Sequence, residues 1–230
     1  MGVKGFYEKM YGDERTDKPS LPFLYSKLRR FELNRYDLVF ENIPEGDRVL
    51  EIGCGDGELL FKLKNKYREV WGIDISKPRI DRIKKKLERE GEVGIHVRVE
   101  DANQRLDFED EYFDTIVANA VLEHLFDPYH FMEESHRLLR SKGTLVVYVP
   151  NVAYLPNRIR LLFGKLPITS REIGWDGGHL HYFTRSSLKR LFEREGFIVV
   201  KITSGGVFAK IRRIWGSLLC GDILLVGIKK

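Results

Sequence analysis

The stretch Val49-Leu50-Glu51-Ile52-Gly53-Cys54-Gly55-Asp56-Gly57-Glu58-Leu59-Leu60 is an apolar run that breaks into three alternate glycines and restarts at helical spacing. It reads as strand, tight turn, helix. Glycine tolerates positive φ and lets backbone approach a ligand, and the first turn of the helix directs its N–H groups to the same place. The turn therefore suits a nucleotide-like molecule. In the dinucleotide fingerprint G-x-G-x-x-G, counted from Gly53, the third glycine would fall on Glu58. What stands here instead is E-x-G-x-G-x-G.

The residues downstream repeat the theme. A helix from Glu58 to about Tyr67 leads into the strand Val70-Trp71-Gly72-Ile73-Asp74-Ile75, which ends on an acid. In mononucleotide-binding α/β halves a carboxylate at the tip of the second strand, about 20 residues past the glycines, accepts hydrogen bonds from ribose hydroxyls. Asp74 occupies that place. Ser76 and Pro78 open a helix with Ile80, Ile83 and Leu87 on one stripe and Lys84, Lys85 and Lys86 on its solvated side. A third strand, Gly94 to Val99, ends at Glu100-Asp101-Ala102, and a fourth, Phe113 to Asn119, runs into Ala120-Val121-Leu122-Glu123-His124-Leu125-Phe126-Asp127-Pro128. A helix over 128–140 and a strand from Thr144 to Val149 follow. Strands alternating with helices predict a parallel sheet wound on both faces, with its ligand off the carboxyl ends of the strands.

Composition bounds the rest. The chain has 230 residues, 43% hydrophobic and 32% charged, which suits one α/β domain. It holds no long apolar run and no apolar leader in Met1 to Met10, so a cytoplasmic location is expected. Cys54 and Cys220 are far apart and lack metal spacing, which predicts reduced thiols. The net charge of +5 is dispersed along amphipathic helices rather than gathered in a nucleic-acid module, so no DNA partner is expected, while RNA stays open as an acceptor.

Residues 1–48 read as an N-terminal helical cap, with a helical pattern from about Leu24 to Phe40; its Tyr7, Tyr25 or Arg30 either packs on the sheet or closes over the ligand. Beyond Pro150 the alternation lapses. Two basic amphipathic segments, 157–165 and 208–215, are packing helices, or line the entrance of an anionic or lipid-linked acceptor, or rest on a membrane surface. Between them come the polar turn Trp175-Asp176-Gly177-Gly178, the cluster His179-Leu180-His181-Tyr182-Phe183, a helix capped by Thr184 and a strand from Phe197 to Thr203. The last strand, Ile223 to Ile228, is expected to run antiparallel, because Ser204 to Cys220 is short for a parallel crossover.

Taken together, E-x-G-x-G-x-G, Asp74, Asp101, the Leu-Glu-His-Leu-x-Asp-Pro exit of the fourth strand and His-x-His-Tyr-Phe-Thr resemble class I S-adenosylmethionine-dependent methyltransferases, in the branch of quinone and sugar O-methyltransferases. The likeness spans 49–150 closely and extends to about 200. It implies a Rossmann-like α/β/α sandwich on a seven-stranded sheet of order 3-2-1-4-5-7-6 with strand seven antiparallel. It also implies S-adenosylmethionine as cofactor, a donor-binding core at 49–150 and an acceptor-side lid at 151–230. By similarity Glu51 anchors the turn or the methionine amino group, Gly53, Cys54 and Gly55 back the methionine moiety, and Asp74 with Ile75 takes the ribose. Asp101 and Ala102 hold adenine, and Asn119 meets the methionine end. His124, His179 and His181 are the candidate bases for a hydroxyl acceptor. Base N-methyltransferases carry Asn-Pro-Pro-Tyr after strand four, where this chain has Asn119-Ala120-Val121-Leu122, so that chemistry is disfavoured. Metal-dependent RNA 3′-end methyltransferases carry Glu-x-x-Glu-His; Ala120 replaces the first Glu here, so no metal is expected, although Glu123, His124 and His179 or His181 could still bind one. The expected reaction is O-methylation of a small-molecule or lipid- or sugar-linked acceptor, against an RNA methyltransferase or an inactive scaffold.

Overall fold

The computed structural model describes residues 32–170, 175–207 and 212–230. Seven strands form one sheet: β1 (Gly46–Ile52), β2 (Tyr67–Asp74), β3 (Ile95–Val99), β4 (Phe113–Asn119), β5 (Leu139–Pro150), β6 (Phe197–Thr203) and β7 (Asp222–Lys229). Their order is β3-β2-β1-β4-β5-β7-β6, with β7 antiparallel to both neighbours, as the family resemblance implies. Around it lie α1 (Arg35–Glu41), α2 (Glu58–Leu63), α3 (Lys77–Glu90), α4 (Pro128–Leu138), α5 (Leu155–Leu162), α6 (Arg185–Arg194) and α7 (Gly216–Leu219).

Both faces of the sheet are covered, so its strands are apolar on both sides. Leu50, Ile116 and Leu225 face one core with Phe131 of α4 and Phe192 of α6. Val49, Val117 and Val226, their sequence neighbours, face the other with Leu38 of α1, Leu59 of α2 and Ile80 of α3. The two-residue period of a strand sorts these side chains. Asp114 locks β4 against β1, accepting from the Asp47 and Arg48 amides at 2.5 and 2.8 Å. Thr184 caps α6, its hydroxyl accepting from the Ser187 amide at 3.1 Å.

Three boundaries differ most from expectation. The helix placed over Leu24 to Phe40 begins at Arg35, because Glu32–Leu33 pairs as a short strand with Gly206–Val207 and Asn34 caps the helix through the Asp37 amide. Its earlier part lies outside the described residues, as do Tyr7, Tyr25 and Arg30. The helix after the glycine turn stops at Leu63 rather than Tyr67, which enters β2 and anchors its hydroxyl on the Pro44 carbonyl at 2.6 Å. The fifth strand runs from Leu139, five residues early, since Phe113 pairs with Leu139 ahead of a register shift. In the segment 208–215, residues 208–211 lie outside the described residues; Arg213–Trp215 is a single tight turn leading into α7. Cys54 and Cys220 are buried free thiols, and no described helix is long and apolar enough to cross a membrane.

Candidate active site

A cavity of about 890 Å³ opens off the carboxyl ends of the strands, where β1 and β4 diverge, and every residue assigned above to the donor lines it. Its volume lies in the range of small-molecule and cofactor sites. Gly53 (φ 71°) is required by its surroundings: a Cβ there would lie 2.4 Å from Val121 Cγ2. The Gly53 and Cys54 amides both donate to the Ile73 carbonyl, at 2.8 and 2.9 Å, folding the turn back onto β2.

Asp74, 7% exposed, organises the two loops it sits between. Its Oδ2 accepts from the Gly55 amide at 2.9 Å and its Oδ1 from the Ser76 amide at 2.8 Å, with Arg79 Nη1 at 4.0 Å. Burial still holds its carboxyl above the ordinary range, against the pull of those hydrogen bonds. Asp101 accepts from the amide and the side chain of Asn103 at 2.9 and 2.8 Å, which fixes the loop after β3.

Among the buried cavity atoms without a hydrogen-bond partner are Glu51 Oε2 and Asn119 Oδ1. Such orphaned atoms are rare in native proteins unless a ligand completes them. Burial, then the neighbouring Asp74, pushes the Glu51 carboxyl well above its usual value, while Arg35 pulls it down. A donor carrying an ammonium and a sulfonium charge suits this acidic, desolvated end. Arg35, at the start of α1, was not singled out from sequence as a site residue; it lines the cavity, a location that only the packing of α1 decides.

The histidines separate. His124 and His179 both line the cavity with ring centroids 4.7 Å apart, whereas His181 lies outside the lining and bonds the Phe126 carbonyl through Nε2 at 3.2 Å. The Glu123 carbonyl accepts from the Leu180 and His181 amides at 2.8 and 3.1 Å, which carries the His179 loop onto the exit of β4. Ala120, with φ 60°, turns the chain there.

Thr169 donates its hydroxyl hydrogen to Asp176 Oδ2 at 2.6 Å, so at the same 2.6 Å distance its oxygen accepts from His179 Nδ1–H. In the neutral ring this makes Nε2 the acceptor nitrogen. Asp176 itself, despite burial, is held below the usual carboxylate range by the Thr169 and Ser170 donors. Sequence reasoning passed over Thr169 and Asp176 as positioning residues; the signal was the turn Asp176-Gly177-Gly178, whose positive φ values of 43, 68 and 80° aim His179 inward.

Glu123 is 1% exposed, and its two carboxylate oxygens are orphaned. His179 Nε2 lies 3.9 Å from Oε1. Burial pushes this carboxyl from 4.5 up to about 8. Ligand atoms of Glu123, His124 and His179 lie within 4.8 Å of one another, so among the described residues this trio could hold a cation, although no metal was expected from the sequence.

The Glu123 shift has a thermodynamic signature. Between pH 4.5 and about 8 the native chain keeps a proton that the unfolded chain has lost, so this group lowers stability as pH rises. Glu123→Gln, neutral throughout, is expected to melt with the wild type near pH 4 and on the order of 10 °C above it near pH 9. Calorimetry across that range checks this; parallel curves would show that Glu123 is ionised in the native protein.

A family model described as a methyltransferase domain matches residues 26–202. The chain is 29% identical over 189 residues to a probable S-adenosylmethionine-dependent methyltransferase of Mycolicibacterium smegmatis; the match covers 80% of this chain but 65% of that one, just under two thirds of its length. It is 29% identical over 184 residues to a demethylmenaquinone methyltransferase of Staphylococcus aureus, covering 73% of this chain and 75% of the relative. Among solved structures, a protein of Pyrococcus horikoshii OT3 superposes with a TM-score of 0.65 at 18% identity, covering 100% of both chains, a likeness of fold.

Proposed function

Because this chain belongs to the methyltransferase-domain family, among the class I S-adenosylmethionine-dependent enzymes, we propose that it methylates a hydroxyl of a small-molecule acceptor with His179 as proton acceptor. The observation that carries the reading is the chain of hydrogen bonds Asp176–Thr169–His179, which sets the imidazole tautomer beside Glu123 at the edge of the donor cavity. S-adenosylmethionine supplies an electrophilic methyl group on a sulfonium. The residues do the rest.

Asp74, through Gly55 and Ser76, shapes the ribose side of the cavity; Asp101 and Ala102 bound its adenine side; Glu51 and Asn119 supply the orphaned acceptors at its methionine end. Holding donor and acceptor in line is the larger part of catalysis in a displacement of this kind. A hydroxyl nucleophile must also lose its proton, and Nε2 of His179 takes it. The imidazolium that results draws Glu123, 3.9 Å away, toward its ionised form, since opposite charges lower a carboxyl's pKa. Residues 49–150 serve the donor and 151–230 the acceptor.

The test is methyl transfer from labelled S-adenosylmethionine to a panel of hydroxylated quinone precursors, sugars and RNA. The name of the Staphylococcus aureus relative puts quinone precursors first on it. Label recovered as a methyl ether on a small hydroxylated acceptor is the expected result. Label only in RNA, or on carbon or nitrogen, would overturn the proposal.

A further inference from the structure

The acceptor-side rim carries an apolar surface that the folded chain leaves uncovered. On α5 and the turn after it Leu162 is 80% exposed, Phe163 72% and Leu166 60%; on the tight turn before α7 Ile214 is 87% exposed and Trp215 63%. These values describe protruding side chains rather than the walls of a groove. The two segments lie side by side: Asn151 donates to the Ser217 and Cys220 carbonyls at 3.1 and 2.8 Å, and the Arg212 guanidinium lies 5.6 Å from the centre of the Tyr154 ring. Both border the cavity, through Thr169 and Ser170 on one side and Gly221 on the other.

The charge of these segments is one-sided. Residues 151–170 contain Arg158, Arg160 and Lys165, residues 204–221 contain Lys210, Arg212 and Arg213, and neither stretch contains an Asp or a Glu. A protruding apolar tip with an aromatic member, on segments that carry cations and no acids, is complementary to an anionic bilayer: the tip enters the acyl boundary and the cations meet the anionic headgroups. We propose that this face, formed by α5, its following turn and Ile214–Trp215, docks on an anionic lipid surface, with the cavity mouth beside it. The proposal goes beyond the acceptor reading and does not depend on it.

Sedimentation of the full chain with vesicles tests it directly. Binding to phosphatidylcholine vesicles containing about one-third phosphatidylglycerol is expected, with several-fold weakening on going from about 0.1 to 0.5 M salt. Vesicles of phosphatidylcholine alone are expected to bind at least about tenfold less protein. The double variant Leu162→Ser/Phe163→Ser, and separately Trp215→Ser, should each lose about tenfold or more in vesicle affinity while keeping their melting temperature and S-adenosylmethionine affinity. A variant that fails to fold is detected by that last measurement, and Lys165→Glu, exposed and outside the packed core, then carries the test. Absence of sedimentation, binding unaffected by these substitutions, or a concentration-dependent dimer that they abolish would each overturn the proposal.

Discussion

His179→Ala is expected to lower turnover by about 10²–10⁴-fold while S-adenosylmethionine affinity stays within about threefold, because the proposed reaction gives the ring the acceptor's proton and no part in donor binding. Its Nε2 is made the acceptor nitrogen by a defined cause, the Nδ1–H bond to Thr169, whose own hydrogen goes to Asp176. Asp176→Asn should therefore act through the ring rather than on the substrate. Its kcat should fall by about 10-fold or more with little change in KM, and the acid limb of the rate should move to lower pH, because the carboxylate that favours the imidazolium is gone. The pH profile separates this from a structural role. In the wild type the rate rises with pH as the base loses its proton; in His179→Ala that limb should flatten. If His179→Ala keeps wild-type turnover with a faithful acceptor, the proton acceptor is elsewhere, and His124, whose Nδ1 lies 3.3 Å from the Gly178 carbonyl, is the next group to substitute.

Asp74→Ala is expected to weaken S-adenosylmethionine binding by at least about 10²-fold. Hydrogen bonds to a charged group contribute about 1.5–3 kcal/mol each, and the substitution removes two that hold the cavity walls, from the Gly55 and Ser76 amides. It also removes the carboxylate that would meet the ribose. Both amides sit at the entrance of backbone turns, so the loss reaches the ligand through the loop geometry as well as through the missing contact. Asp74→Asn keeps one acceptor oxygen and should fall between the two. Titration calorimetry with S-adenosylmethionine reads the affinity, and retention of wild-type affinity in Asp74→Ala would remove Asp74 from the donor site.

Much of this molecule was legible in the chain because its information is local. A strand buried on both faces shows as an apolar run such as Phe113–Asn119, which matches the observed β4 to the residue. Gly53, Asp74 and Asp101 could be placed because each stands where a strand ends, and in a wound parallel sheet those ends converge on one cavity. Thr184 announced α6 because a cap is read within three residues of itself. Boundaries slipped where a long-range bond intervened, as at Tyr67, held by Pro44.

The sequence by itself determined the alternation of strands and helices, the acids at the strand ends and the glycine turn Gly53-Cys54-Gly55-Asp56-Gly57, because period, caps and strand ends are fixed by neighbours in the chain; the order of the sheet followed from the family resemblance. Only the tertiary structure decided that His179 and not His181 enters the cavity, that Glu123 is sealed beside it, that Arg35 joins the acids, and that Leu162, Phe163 and Trp215 stay uncovered. Glu123 and His179 are brought together by backbone bonds from Leu180 and His181 across the fold. The reason is physical: periodicity tells which side of an element is apolar, but what covers that side, and which buried acid meets which imidazole, depends on contacts between segments distant in the chain.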